Sequence, residues 1–295
     1  MLVNIYLGNH DALGASSLED QCLAFQGALR ELGHDTFMTC ALMPAPIVNL
    51  VFDNFVGQHM ATISGALATS RIGVICTERF EGSVVNIPGF AAERARNLLE
   101  IARRATFVWC LDPVAVQRLR AELPGRPVFH IPIGYVKDLE NIESLPSPRK
   151  IWDVCFTGSM TPYRHQVLVD LMQRGVSVIG DFFPTIVRRS IMARSRLQIT
   201  LKHDPGRFMP SQMRIAYCLA NGFPVLSDFG GVTPESPIEG FCINVRREEL
   251  ADRCLDLLRN PAAAAAAQER VAQFKATYRM APLIADVVRQ SFGPV

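Results

Sequence analysis

The chain has 295 residues, with 30 Lys/Arg against 28 Asp/Glu, 49% hydrophobic residues and 20% charged ones. That composition supplies a packed core and excludes disordered and collagen-like classes, and no apolar run approaches the ~20 residues of a membrane helix. The length suggests one large domain or two of about 100–150 residues each.

The predicted elements alternate from the start. Residues 2–7 read as a buried strand and not as a signal peptide, because no basic stretch precedes them and the chain turns polar at Asn9-His10-Asp11. A helical period follows over 17–32 (Leu18, Cys22, Phe25, Leu29, Leu32) and ends at Gly33. Strand-like runs at 36–40, 47–52, 72–77, 106–110 and 128–132 are separated by helical stretches at 58–69, 91–103 and 113–122. A polar segment with Pro146 and Pro148, residues 137–150, is the best linker. The alternation then restarts: strands at 152–157, 176–179, 197–201, 224–227 and 242–245, with helices at 164–174, 184–194, 210–221 and 248–259. The alanine run 262–267 is helical, and 268–292 is helical with a break at Pro282. Alternation at this spacing predicts parallel sheets covered by helices. The fold class expected is α/β, two tandem Rossmann-like domains with a cleft between them. The domains are placed at 1–140 and 141–275, with 276–295 a helix returning to the first.

Charge is unevenly spread. Residues 155–215 hold nine Lys/Arg against three Asp, an excess of six positive charges in one segment. Such an excess points to an anionic ligand. A nucleic-acid binder is expected to be basic overall with interleaved aromatics, so nucleic acid is not expected as a partner. The eight cysteines are scattered without a CxxC, which argues against a zinc site or a disulfide framework and for a reducing, cytoplasmic compartment.

The absent motifs narrow the chemistry. There is no GxGxxG, no GxxxxGK[ST], no HExxH and no GxSxG. No two Asp are spaced as DxD, which weighs against a nucleotide held through a divalent metal. Two segments remain. Thr157-Gly158-Ser159 closes a strand before a helix, where a glycine lets main-chain N–H groups approach a phosphate, and Arg164 lies just inside that helix. Residues 193–231 read strand, loop, helix, glycine cap, strand and Gly-Gly loop. Lys202 and Arg207 flank the loop, Ser211 sits in the first helical turn, and Arg214 follows one turn in.

This second segment resembles the nucleotide-sugar-binding domain of GT-B glycosyltransferases, of the group 1 and CgeB-like branch. The residues that carry the resemblance are Ser195-Arg196-Leu197, Arg214, Leu219-Ala220-Asn221-Gly222, Pro224-Val225 and Ser227-Asp228-Phe229-Gly230-Gly231, with Gly158 in the matching first glycine loop. The resemblance spans about residues 150–260. It implies donor binding by Gly158, Ser159, Arg214, Gly230 and Gly231, and Arg164, Lys202, Arg207 and Ser211 join them as donor-binding candidates from their places in the two loop–helix segments. The family's usual Glu falls on Tyr217, and Glu235 stands as its nearest substitute.

On the acceptor side, a general base is sought beyond the first strand. His10 and Asp11 follow that strand directly, Glu78 follows the strand at 72–77, and Asp53 ends the strand at 47–52. The function expected is metal-independent transfer of a sugar from a nucleotide diphosphate sugar to a glycan, lipid or protein. No cofactor or metal is expected, and contact with a membrane would be peripheral. The alternatives are a GT-B sugar-nucleotide epimerase or hydrolase, and a non-catalytic GT-B binding subunit.

Overall fold

The computed structural model describes the chain apart from residues 78, 82–83, 86–90, 147–148, 205–210, 233 and 294–295. Glu78 and Arg207 therefore lie outside the described residues. The chain divides into two units. One comprises Met1–Leu18, Cys22–Pro132 and the chain from Met280, the other Ile133–Arg279 with Glu19–Gln21. The division falls at 132/133 and 279/280, where the sequence placed it at 140/141 and 275/276.

The first unit runs β1 (Leu2–Tyr6), α1 (Ala12–Ser17), α2 (Glu19–Glu31), β2 (Asp35–Thr39), β3 (Val48–Phe52), α3 (Gln58–Ala66), β4 (Arg71–Cys76), β5 (Phe80–Glu81), β6 (Val84–Val85), α4 (Ala91–Arg104), β7 (Phe107–Cys110), α5 (Pro113–Glu122) and β8 (Val128–His130). Six of these strands form a sheet in the order β2-β1-β3-β4-β7-β8, every neighbouring pair parallel. Covered on both faces, central strands read as unbroken apolar runs, and all five residues of β3 are buried. Helix starts are locally encoded: Asp112 caps α5 by accepting from Val114 N, with Pro113 in the first turn.

The second unit repeats the plan with β9 (Trp152–Thr157), α6 (Pro162–Gln173), β10 (Val178–Asp181), α7 (Thr185–Ala193), β11 (Ser195–Thr200), α8 (Gln212–Ala220), β12 (Val225–Ser227), β13 (Ile243–Asn244), α9 (Leu250–Arg259) and α10 (Pro261–Thr277). Its sheet order is β10-β9-β11-β12-β13, again parallel throughout. The core is built from Phe156, Leu171, Ile199 and Leu226 of the sheet and α6, closed by Leu250 and Cys254 of α9.

The last helix, α11 (Met280–Phe292), belongs to the first unit. The helix break falls at Tyr278–Arg279 and not at Pro282. Pro282 lies in the first turn of α11, where its missing N–H has no intrahelical partner to lose. The turn is held from outside by Tyr135 N, which donates to Tyr278 O at 2.8 Å. Arg71 then donates to the carbonyls of Ser291 and Phe292, and buried Trp109 donates Nε1–H to Ser291 Oγ at 2.8 Å. No helix among the described residues is long and apolar enough to cross a membrane.

Candidate functional site

Both sheets reverse direction at their first strand: β1 has β2 on one side and β3 on the other, and β9 has β10 and β11. In open parallel sheets such reversals leave a crevice beyond the carboxyl ends of the strands. The turn after β9 carries Gly158 and Ser159; the turn after β1 carries Gly8, Asn9, His10 and Asp11.

Arg164 braces the β9 turn. Thr161 caps α6 by accepting from Arg164 N at 3.2 Å. The Arg164 guanidinium donates to Ser159 O at 2.8 Å, Ser159 Oγ at 3.3 Å, Leu201 O at 3.0 Å and Lys202 O at 2.9 Å. It therefore ties the turn to the end of β11 and spends its hydrogen bonds on protein atoms. Asp228, fully buried after β12, completes the brace: it accepts from Lys202 N at 2.9 Å and from the Tyr163 hydroxyl. Burial and this bond both raise the Tyr163 phenol. Neither Tyr163 nor the inward role of Asp228 was assigned from sequence; Asp228 was only part of the motif that carried the resemblance.

Arg214 differs. Ser211 caps α8, accepting from Arg214 N at 3.4 Å. The guanidinium reaches back over the Phe156 ring, 5.8 Å from its centroid, while Arg164 lies 5.2 Å from the same ring. A Cβ at Gly158 would stand 2.8 Å from Arg214 Nη2, so a larger residue there would push the guanidinium from its present place against the turn. No hydrogen bond or ion pair joins that guanidinium to any described residue. Burial foremost, then the like charges of Arg164 and Arg188, pull its pKa down to about 10, which leaves it charged at neutral pH. A desolvated cation without a partner among the described residues, beside a helix N-terminus and a glycine turn, is a ready place for an anion.

The remaining predicted positions are brought to the same end of this unit in different ways. Lys202 is half-buried, with its main chain held by Asp228 and Arg164. Gly230 packs so tightly on the next strand that a Cβ would sit 2.2 Å from Val245 C, and its N–H donates to Val245 O at 2.8 Å. Gly231 follows it in the left-handed region. Glu235 donates its main-chain N–H to Glu239 Oε1 at 3.0 Å, so the carboxylate that organises this loop belongs to buried Glu239. Tyr217 is also buried: its hydroxyl donates to Asn141 Oδ1 at 2.6 Å and its ring lies under Arg188. Tyr217 thus anchors the segment that follows β8.

In the first unit, Asn9 is fully buried and pins the β1 turn to the end of β3, donating to Phe52 O at 2.7 Å. Asp11 caps α1, accepting from Gly14 N at 2.6 Å, so its carboxylate is engaged in the local turn. His10 packs edge-on to Phe52 with Nε2 buried and without a hydrogen-bond partner among the described residues. Burial outweighs the nearby Asp53 carboxylate and, with Arg94 and His59, lowers the imidazole to about 4. Asp53 accepts from Thr77 N at 3.0 Å and Thr77 Oγ1 at 2.8 Å, linking β3 to β4.

This titration has a sign that can be checked. The unfolded chain takes up the His10 proton near pH 6.5 and the folded chain only near pH 4. The stability tied to neutral His10 is complete above pH 6.5 and is lost progressively as pH falls toward 4. An imidazole titration by NMR should give a midpoint near 4, and His10→Gln should reduce the fall in melting temperature across that window. An unchanged slope would contradict the assignment.

No family model and no curated protein sequence matches the chain. Solved structures do. An alpha-glucosyltransferase in complex with UDP-glucose and DNA containing an abasic site superposes with a TM-score of 0.62 at 10% identity, covering 99% of this chain and 98% of that one. WaaG, a glycosyltransferase involved in lipopolysaccharide biosynthesis, gives 0.57 at 12% identity, covering 99% and 100%. TarM gives 0.55 at 12% identity, covering 95% of this chain and 59% of that one. The fold is the two-domain GT-B fold of glycosyltransferases. The expectation that nucleic acid plays no part does not stand, because structures with this fold hold DNA. Its physical weakness is that net charge is a property of the whole chain, whereas an acceptor surface is local.

Proposed function

We propose that the chain is a glycosyltransferase that binds a nucleotide diphosphate sugar in its second unit and transfers the sugar without a metal. The Arg214 guanidinium, held against Gly158 at the start of α8 with no hydrogen bond or ion pair to any described residue, carries the reading. Charge on the departing diphosphate would be met by this arginine and by the N-terminus of α8, and such contacts strengthen as the leaving group gains charge. The UDP-bound neighbours make UDP and UDP-glucose the first ligands to try. His10, in the turn after β1, is the candidate base; burial lowers its pKa to about 4, which makes it a weak one.

A panel of nucleoside diphosphates should raise the melting temperature, by roughly 2.7 kcal/mol of added stability at a hundred times Kd. EDTA should change nothing. Loss of binding on chelation, restored by Mn²⁺ or Mg²⁺, would end the metal-free reading. The acceptor panel should span glycans, lipids, proteins and, given the DNA-bound neighbours, nucleic acids. A second reading, a subunit that binds the donor without turning it over, is favoured by Tyr217, whose hydroxyl is committed to Asn141. Binding without transfer to any acceptor or to water would select it.

A further inference from the structure

The second unit contains a cavity of about 310 Å³ far from the Gly158 turn in the sense of the sheet. Arg196, on its wall, is the second residue of β11, and Pro224 immediately precedes β12. In a sheet whose strands all run one way, the cavity lies at the amino ends, whereas Arg214 and Gly158 lie at the carboxyl ends. Leu257 and Leu258 of α9 and Ala264 and Ala267 of α10 give it an aliphatic wall.

Its two cations are not equivalent. Arg196 donates to Asp153 Oδ1 at 3.0 Å and to Leu258 O at 2.5 Å, so its charge is matched. Lys150 is half-buried, its Nζ 5.5 Å from the centroid of the Phe223 ring, with no hydrogen bond or ion pair to any described residue. Burial, with Arg196 beside it, lowers its pKa. A partly desolvated ammonium without an acceptor is stabilised by an anion that brings one. A single unmatched positive charge suits a monoanion better than a phosphate. The aliphatic wall and a volume at the small end of ligand pockets suit a chain of roughly six to ten carbons.

We propose that this cavity binds a medium-chain aliphatic carboxylate, with its head group on Lys150 Nζ and its chain against Leu257, Leu258, Ala264 and Ala267. The site is separate from the donor site and does not depend on the glycosyltransferase reading. The test is calorimetric titration of the full chain with octanoate, compared with acetate and octan-1-ol. Octanoate should saturate one site per chain, with acetate and octan-1-ol at least tenfold weaker, since each lacks one half of the recognition. Lys150→Met should weaken octanoate at least tenfold, and Ala264→Phe, which fills the cavity from the half-buried face of α10, should abolish binding. Melting curves of both variants verify folding, and Lys150→Gln replaces Lys150→Met if that variant does not fold. Octanoate that fails to saturate, octan-1-ol that binds equally well, or wild-type affinity in the folded variants would overturn the proposal.

Discussion

Arg214→Ala is expected to weaken transition-state stabilisation by about 2–4 kcal/mol, the usual effect of losing one such donor, which corresponds to roughly 30- to 1000-fold in kcat/KM. The same substitution should leave the melting temperature of the free protein unchanged or raise it. The guanidinium makes no hydrogen bond to any described residue, and Arg164 and Arg188 oppose its charge. Among the described residues, what is lost is its packing on Phe156 and against the Gly158 turn. Arg214→Lys should recover part of the nucleotide affinity, because an ammonium restores the charge but not the planar fork. Measuring melting temperature and nucleoside diphosphate Kd on one preparation separates the two roles. A large drop in melting temperature with unchanged Kd would mean that Arg214 holds the protein and not the ligand.

Arg164→Ala is expected to behave in the opposite way. Three main-chain carbonyls, of Ser159, Leu201 and Lys202, lose their charged donor at once. An unsatisfied buried acceptor costs about 1–3 kcal/mol, so a loss of about 3–5 kcal/mol of stability is expected. That should lower the melting temperature of the unit by roughly 6–20 °C. Arg164→Lys should restore little, since one ammonium cannot reach carbonyls on both the β9 turn and the end of β11. Nucleotide affinity should fall only as far as the turn relaxes. An Arg164→Ala protein that melts like the wild type but fails to bind nucleotide would move Arg164 into the ligand shell.

These two arginines show where the sequence stops being informative. Both lie in helix first turns within one basic segment, and nothing local distinguishes them. What separates them is that the carbonyls of Leu201 and Lys202 converge on one, across 37 and 38 positions of chain, and not on the other. The strand alternation, the helix start at Pro113 and the glycine turn at Gly158 were legible because periodicity and capping act over a few residues, but the helix expected at 164 starts at Pro162 behind the Thr161 cap, and Ser211, expected inside its first turn, caps α8 from outside. Asp11, a candidate base by its place after the first strand, caps α1 by accepting from Gly14 N. The break between α10 and α11 was displaced, since the contact that holds it runs from Tyr135 to Tyr278. His10 is lowered by burial beside the Phe52 ring, against the pull of the Asp53 carboxylate, and no pattern around residue 10 reports either neighbour.

The central claim is that a diphosphate is held between Arg214 and the Gly158 turn. A crystal structure of the protein soaked with UDP in the presence of EDTA tests it most directly. Diphosphate oxygens should lie within hydrogen-bonding distance of the Arg214 guanidinium and beside the main chain at Gly158, with no metal between them and Arg164 still on its carbonyls. A diphosphate bound elsewhere, or no nucleotide at this turn at saturating UDP, would contradict it.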